Sequence, residues 1–336
     1  MIDVNRLDKF ELIDKKIVEE HLNSGKELII QFVSDKKYND KILEDINDLC
    51  KRYTQNLSIR FYGHRPSVFD CVQLAKIPEV RNLCIDCLDS AKNLNHLSKL
   101  HKLNSLSLGI YNLEEAEILG LENLMNLKEL IITDTKTKAL NLDYLRHFKN
   151  LKSLTIYGHT KNIEAIGQLI ELESLSLNSV KKAPLHFINK LKNLKTLNFL
   201  LGSRENLNEI ENNGIENLNI VWVRGFNDLS CISKFLKLKT LKIGDEIQLQ
   251  KVQFDNVFPD LTDLKILNCK TLDTIIGLNN LPQLNSLVVY QTKIDFDNLI
   301  KQELPKELKH FGFYTTKSKI DKDIKATIES KGYSCN

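Results

Sequence analysis

Leu127-Lys-Glu-Leu130-Ile-Ile132 is the clearest copy of a six-residue phrase, apolar-x-x-apolar-x-apolar, that recurs eleven times between Val80 and Phe313. The last two apolar residues of each copy lie two positions apart, which is the period that a half-buried strand requires. Successive copies lie 21 to 24 residues apart, and so regular a spacing predicts a solenoid of short strands. The middle apolar residues of the copies are Leu83, Leu106, Leu130, Leu154, Leu175, Leu197, Leu218, Leu241, Leu264, Leu287 and Phe311.

The segments between the strands carry apolar residues three positions apart, as in Leu121, Leu124 and Leu127. This spacing predicts a tight helical return with one apolar face. Phrase, spacing and return together resemble the leucine-rich repeat family from about Val80 to Thr316, and the copies are similar to the short repeats of bacterial internalin-like and phosphatase-regulating proteins. The resemblance implies an α/β fold: a leucine-rich repeat solenoid, or horseshoe, with a parallel concave β-sheet and short helical or 3-10 returns on the convex side.

One position departs from the family pattern. Five residues after each middle apolar residue, the family commonly has Asn or Cys, whose side chain bonds the backbone of the turn. This chain has mixed residues there, including His159, Cys269 and Glu246. A carboxylate at a position expected to be buried predicts a local slip or insertion between Gly244 and Gln250.

Residues 1–79 have a weaker pattern. Glu27–Val33 and Asn56–Phe61 are strand-like, and Asn39–Tyr53 has helical periodicity. We interpret 1–79 as an N-terminal cap with degenerate, longer repeats, beginning with a helix near Leu12–Leu22, because a terminal repeat must present a polar outer face. A separate small α/β domain is the alternative.

The C-terminal end also predicts a cap. The repeats are assigned to 80–316 and a capping helix to 317–336. Ser318-Lys-Ile-Asp321 is similar to a capping box, and a helix that begins there is expected to end at Gly332. Its apolar face is expected to contain Ile320, Ile324 and Ile328.

Composition restricts the function classes. The chain has 47 basic and 44 acidic residues, for a net charge of +3, and no basic stripe. We therefore expect no nucleic-acid partner. Neither a secretory h-region nor an apolar stretch long enough to span a bilayer occurs, and the seven Cys are scattered and odd in number. These features predict a cytoplasmic protein with reduced thiols and no membrane association.

Catalytic and metal-binding motifs are weak or missing. The sequence has no Walker A loop, Gly-rich dinucleotide turn, His-Glu-x-x-His or Gly-x-Ser-x-Gly phrase. Cys84, Cys87, His96 and His101 are residue types that zinc accepts, but the repeat places the cysteines on a strand and the histidines on a return. We therefore predict no enzymatic activity, cofactor, metal or small-molecule substrate.

The side chains that the strands expose are the candidate binding residues. On the concave sheet, an apolar and aromatic band is expected beside a polar floor with a few charges. Aromatic residues dominate binding hot spots, so we predict a protein-binding face. The candidate contacts are Tyr157, Asn178, Leu200, Val221, Trp222, Lys242, Asp263, Lys265, Leu267, Val288, Tyr290, His310 and Tyr314.

The functional hypothesis is a non-enzymatic protein-interaction module. The family resemblance suggests that such a module regulates or neutralises an enzyme or a toxin, as an immunity protein does. Two alternatives stay open at this stage. The chain could be a translocated bacterial effector, or residues 1–79 could form a ligand-binding or enzymatic domain that the repeats target.

Overall fold

The computed structural model describes residues 5–10, 15–136, 139–211 and 214–335. They divide into two compact units, Met1–Glu171 (the first unit) and Leu172–Asn336 (the second unit). This boundary lies inside the repeats. A division at residue 79, between cap and repeats, stays a prediction.

The first unit is built on a parallel sheet. Its strands are β1 (Arg6–Leu7), β2 (Leu28–Phe32), β3 (Leu57–Tyr62), β4 (Phe69–Asp70), β5 (Asn82–Leu88), β6 (Ala91–Lys92), β7 (Ser105–Ile110), β8 (Glu129–Ile132) and β9 (Ser153–Tyr157). Seven of these described strands pair in the order β1-β2-β3-β5-β7-β8-β9, and β4 pairs with β6 in a separate ladder. Since β3 pairs with β5, the strands of residues 1–79 belong to the same sheet as the repeats that follow.

Two α-helices precede the regular repeats in the described part of the first unit. They are α1 (Lys15–Asn23) and α2 (Asp40–Arg52). The side chain of Asn39 caps α2 by accepting a hydrogen bond from the Ile42 N–H at 3.0 Å, which satisfies one of the free N–H groups of the first turn. Both helices bury one apolar face, and their described bounds lie close to the predicted ones. Residues 12–14 of the first predicted helix lie outside the described residues.

The second unit repeats the arrangement with greater regularity. Its strands are β10 (Ser174–Asn178), β11 (Thr196–Leu200), β12 (Asn217–Val221), β13 (Thr240–Gly244), β14 (Lys251–Gln253), β15 (Asp263–Leu267), β16 (Thr274–Ile276), β17 (Ser286–Tyr290) and β18 (His310–Tyr314). Seven of the described strands form the main parallel sheet in the order β10-β11-β12-β13-β15-β17-β18, while β14 pairs with β16. The middle apolar residues of the phrase lie opposite one another in every pairing of this sheet, which fixes the register.

The core contains the apolar residues of the phrase. Every middle residue from Leu83 to Phe311 is at most 1% exposed, and the apolar residue two positions later is buried as well. The predicted alternation is confirmed. Since one face of each strand is fully buried, a slip of one residue would exchange the core and solvent faces, and the register is correspondingly strict.

The returns are mostly 3-10 helices, as the spacing of three predicts. In Glu122–Asn126 the apolar face buries Leu124, and Leu127 follows in the core. The other described 3-10 helices of the units are Asp35–Lys37, Cys71–Lys76, Leu94–Lys99, Ile118–Gly120, Leu142–His147, Ile163–Gln168, His186–Lys190, Ser230–Lys234 and Leu278–Asn280. The second unit also has α3 (Phe296–Lys301) and α4 (Ser318–Ser330).

At two of the positions five residues after a middle apolar residue, a polar side chain bonds the turn backbone. Buried His159 accepts from the Leu140 N–H at 3.1 Å, and its Nε2 lies 2.8 Å from the Thr133 carbonyl. Buried Glu246 accepts from the Val223 N–H at 2.9 Å. The predicted slip near Glu246 is wrong, because Gly244 stays paired with Val221 and with Leu267. The Glu246 carboxylate bonds the turn backbone, as the Asn side chain does in the family pattern.

A left-handed residue ends most strands of the second unit. Its φ lies between 53° and 59°, and its N–H donates to a carbonyl at the end of the next strand. This backbone conformation turns the chain away from the sheet, and it is unfavourable for residues other than Gly, Asn and Asp. The six corner residues are Ser179, Leu201, Trp222, Asp245, Asn268 and Gln291.

The C-terminal helix α4 differs from the prediction in two details. Ser318 does not cap it; instead Asp321 reaches back to the Thr315 N–H at 2.9 Å and to the Thr315 hydroxyl at 2.6 Å. Ile324 and Ile328 are buried as predicted, but Ile320 is 43% exposed. Ile320 lies in the first turn, before the helix contacts the core.

Candidate functional site

The exposed sheet face of the second unit is the side of its main sheet that points away from the core. Three side chains of each strand lie on this face, at one residue before, one after and three after the middle apolar residue. Parallel register aligns them into a first, a middle and a last row across the strands. The last row consists of Asn178, Leu200, Val221, Gly244, Leu267, Tyr290 and Tyr314.

Several polar side chains of this face hydrogen-bond to one another. In the middle row, Asn219 donates to Asn198 at 2.5 Å, and Asn198 donates to the Ser176 hydroxyl at 2.8 Å. In the first row, the Thr240 hydroxyl donates to Asn217 at 2.8 Å. These ladders stabilise neighbouring strands and leave few polar groups for a partner.

The middle row continues with two lysines. Lys242 and Lys265 lie directly opposite each other on β13 and β15, and both are exposed. Among the described residues neither lysine has an ion-pair partner. Asp263, on the same face, accepts from the Thr262 hydroxyl at 2.7 Å. Like charges directly opposite destabilise a sheet, so we expect this pair to lower the stability of the unit.

Aromatic side chains follow the lysines at the end of the sheet. The rings of Tyr290 and Tyr314 meet edge to face with centroids 6.4 Å apart, and Tyr314 is 44% exposed. Neighbouring side chains approach Gly312 closely: a Cβ there would lie 3.1 Å from His310 Nε2 and 3.4 Å from the Tyr290 hydroxyl. Together with half-buried Val288, these residues form an aromatic surface with two polar atoms.

Two corner residues extend the apolar band beyond the sheet. Leu201 is 50% exposed and Trp222 is 59% exposed, and both hold the left-handed conformation. They follow Leu200 and Val221, which are half-buried in the last row. Sequence reasoning missed Leu201, although its place four residues after Leu197 is the same as that of Trp222 after Leu218.

Two predicted contacts do not contribute to this open surface. Asn178 is only 4% exposed, so its assignment to an open surface is wrong: the strand positions it on the sheet face, but neighbouring side chains cover it. Tyr157 belongs to the first unit, where it is half-buried. The other predicted contacts all lie in the second unit, on the exposed sheet face or at its corner.

The first unit has a groove on its own sheet face. The groove has a volume of about 450 Å³ and includes Tyr157 and Ile131. Its floor is a network of paired groups: Arg60 donates to Asp86 at 2.8 Å, and the Ser107 hydroxyl donates to the same carboxylate at 2.9 Å. Gly109 makes room for this network, because a Cβ there would lie 2.7 Å from Asp86 Oδ1.

The cysteines and histidines considered for zinc do not converge. Among the described residues, no group of three or more His, Cys, Asp or Glu side chains could hold a metal ion. Burial raises the pKa of Cys84 to about 11 and that of Cys87 to about 12, which keeps both thiols protonated at neutral pH.

Comparison with solved structures identifies the fold. An internalin (InlF) from Listeria monocytogenes matches with a TM-score of 0.53 and 18% identity, over 92% of this chain and 78% of that chain. A leucine-rich repeat protein from Leptospira interrogans matches with a TM-score of 0.52 and 16% identity, over 99% of this chain and 96% of that chain. This chain has the leucine-rich repeat fold. No protein-family model matches it, and no curated protein matches it in sequence.

The leucine-rich repeat fold explains why the candidate residues lie side by side although they are about 23 residues apart in sequence. Within the described residues, no helix has the length and apolar character needed to cross a membrane.

Proposed function

We propose that this leucine-rich repeat chain is a non-enzymatic protein-interaction module that binds a partner protein on the exposed sheet face of its second unit. One observation carries the proposal: Lys242 and Lys265 lie opposite each other without a carboxylate partner in the described part of the chain. Beside them, half-buried Leu267 and Tyr290 and exposed Tyr314 form an apolar and aromatic surface.

The lysine pair defines the chemistry of the partner. Two exposed ammonium groups on adjacent strands repel each other, and carboxylates from another protein would remove that repulsion. Charge complementarity of this kind mainly raises the association rate and fixes the register of the two surfaces. We therefore propose a partner with an acidic patch opposite Lys242 and Lys265.

The aromatic and apolar residues supply the remaining affinity. Tyr and Trp bury a large area with few rotatable bonds, which is why they are enriched in binding hot spots. Tyr290, Tyr314 and Trp222 are the proposed anchors, with Leu200 and Val221 beside them. His310 Nε2 and the Tyr290 hydroxyl, next to Gly312, are available to hydrogen-bond the partner.

The dimensions of the face favour a folded protein over a small molecule. The main sheet of the second unit has seven described strands, and at about 4.8 Å per strand its face is about 29 Å wide. This is close to the diameter of a small domain.

We further propose, from the sequence resemblance, that binding regulates or neutralises a partner enzyme or toxin.

Affinity capture from the native cell lysate, quantified by mass spectrometry, tests the proposal. Wild-type chain is compared with the charge-reversal variant Lys242→Glu/Lys265→Glu. We expect at least one protein to be retained by the wild type and reduced about 100-fold by the variant, because two attractive charge pairs become repulsive. The affinity of that protein for the wild type should also fall as salt is added.

The matched control reverses the same number of charges elsewhere. Lys270 and Lys293 are also exposed, also lie 23 residues apart, and occupy the returns rather than the sheet face. Lys270→Glu/Lys293→Glu should retain the partner within about threefold. Equal retention by all three chains, or equal loss in both variants, would contradict the sheet-face assignment.

A further inference from the structure

A buried arginine lies in a pocket of the second unit, away from the exposed sheet face. Arg204 is only 8% exposed, and it lies four residues after the end of β11. A charged side chain is rarely this buried unless it is paired, because removal of a charge from water is energetically costly. The location of its counter-charge is therefore informative.

Few of the contacts of Arg204 compensate its charge. Its Nη2 donates to the Ala183 carbonyl at 3.1 Å, and the guanidinium carbon lies 5.3 Å from the centre of the Phe199 ring. No carboxylate of the described residues lies within 4 Å of it. An arginine has five N–H donors, so most of the fork has no acceptor within the described part of the protein.

The acidic residues of the pocket already have partners. Glu209 accepts from the Leu185 N–H at 2.8 Å and lies 3.6 Å from His186 Nε2. Glu205 lies 3.7 Å from the Lys182 ammonium. Burial lowers the pKa of Arg204, and Glu209 only partly opposes this shift. The guanidinium is thus a buried cation whose nearest carboxylates bond elsewhere.

The pocket beside Arg204 has room for a ligand. Its volume is about 520 Å³, and its lining includes Lys182, His186, Glu205 and Glu209 as well as Arg204. We infer that this pocket binds a carboxylate group, which the planar guanidinium of Arg204 holds through its free N–H donors. The inference is independent of protein binding at the sheet face.

Charge balance selects a carboxylate over a phosphate. Lys182 and Arg204 contribute two positive charges, and Glu205 and Glu209 contribute two negative charges. Because these charges cancel, a doubly charged phosphate gains no net attraction over a singly charged carboxylate, and its removal from water costs more. The carboxylate belongs either to a small molecule or to an acidic side chain of a protein.

NMR of the full-length protein with ¹⁵N-labelled arginine tests the inference. The chain has eight arginines, so the Nε–H spectrum is simple, and Arg204→Lys identifies the Arg204 signal. Sodium acetate, the peptide acetyl-Gly-Glu-Gly-amide and inorganic phosphate are titrated at constant ionic strength with chloride. We expect the Arg204 signal to shift saturably with acetate or with the peptide, at a concentration several-fold lower than with phosphate.

The pattern of shifts identifies the source of the carboxylate. Tighter binding of the peptide assigns the pocket to a protein carboxylate, and binding of acetate alone assigns it to a small molecule. The control residue is Arg224, which is exposed and should show no saturable shift. No saturable shift of the Arg204 signal with either carboxylate, or tighter binding of phosphate, would overturn the inference.

Discussion

The sheet faces of the two units differ in how their charged side chains are paired. In the first unit, Arg60 and Asp86 pair at 2.8 Å, and Ser107 and Gln31 complete the network at 2.9 and 3.1 Å. In the second unit, two adjacent lysines have no such partner among the described residues. A paired network contributes to the stability of its own sheet, whereas unpaired like charges reduce it. The comparison therefore indicates which charges serve the fold and which are available to a partner.

The largest expected effect is on the paired network. Asp86→Ala removes both bonds to the carboxylate and leaves Arg60, whose side chain is 26% exposed, without its counter-charge. We expect the free energy of unfolding to fall by about 3 kcal/mol, since removal of one partner of a mostly buried ion pair leaves the other uncompensated. Urea denaturation of the full chain measures the change.

Asp263→Ala is the matched control in the second unit. This carboxylate also lies on a sheet face, but its described hydrogen-bond donor is only the neighbouring Thr262 hydroxyl. We expect a loss of less than about 0.5 kcal/mol. Similar losses for the two variants would show that the network of the first unit does not stabilise its sheet more than an isolated surface group does.

A second prediction concerns a buried carboxylate of the second unit. Burial raises the pKa of Glu246 from 4.5 to about 7, because its one described hydrogen bond, from the Val223 N–H, only partly offsets the loss of water. A raised pKa in the folded state means that stability is full below about pH 4.5 and decreases as pH rises to about 7. The loss is about 3 kcal/mol by linkage.

Glu246→Gln isolates this effect. The amide oxygen can still accept from Val223, and it carries no charge at any pH. We expect the variant to gain stability relative to the wild type at pH 8 and to lose that advantage near pH 4.5. Burial lowers the pKa of His64 and of His159, so these two histidines lower the stability of the folded protein as the pH falls. Because wild type and variant share this contribution, it cancels in the difference between their free energies of unfolding, which urea denaturation measures. A difference that does not depend on pH would contradict the assignment.

The regular part of the molecule was predictable because it depends on local periodicity. The spacing of apolar residues determined the strands, their register and the 3-10 returns, and the cap of α2 by Asn39 follows from a short-range rule. The location of the lysines and tyrosines on the sheet face of the second unit could also be predicted, since alternation within a strand fixes the face on which each side chain lies.

The remaining features depend on neighbours that are distant in sequence. Glu246 and Arg204 are buried because adjacent repeats cover them, and a single phrase contains no information about that cover. The sequence therefore indicated a slip at Glu246 and gave no signal at Arg204. The burial of Asn178 and the exposure of Leu201 have the same origin, since both depend on the neighbouring side chains of the next repeat.

A third prediction separates stability from binding at the corner. Trp222 holds a left-handed backbone conformation and is 59% exposed, while Asn268 occupies the same place two repeats later. Asn tolerates this conformation better than Trp, so Trp222→Asn should raise the free energy of unfolding by about 0.5 kcal/mol. The same variant should bind the captured partner at least tenfold more weakly. The control is Leu236→Asn, at an exposed position of a return with ordinary φ, which should change neither the free energy of unfolding nor the affinity for the partner. A Trp222→Asn chain that is less stable than the wild type would argue against backbone strain at the corner.

The smallest effect comes from the lysines themselves. If Lys242 and Lys265 repel each other in the free protein, Lys242→Gln/Lys265→Gln should raise the free energy of unfolding by about 0.3 kcal/mol at low salt and by nothing measurable at about 1 M salt, where the charges are screened. Lys270→Gln/Lys293→Gln, on the returns, should give no salt-dependent gain. A loss of stability in the sheet-face variant would mean that the lysines stabilise the sheet through their aliphatic chains. Charged side chains would then stabilise the sheet in both units, and the contrast between the two faces would disappear.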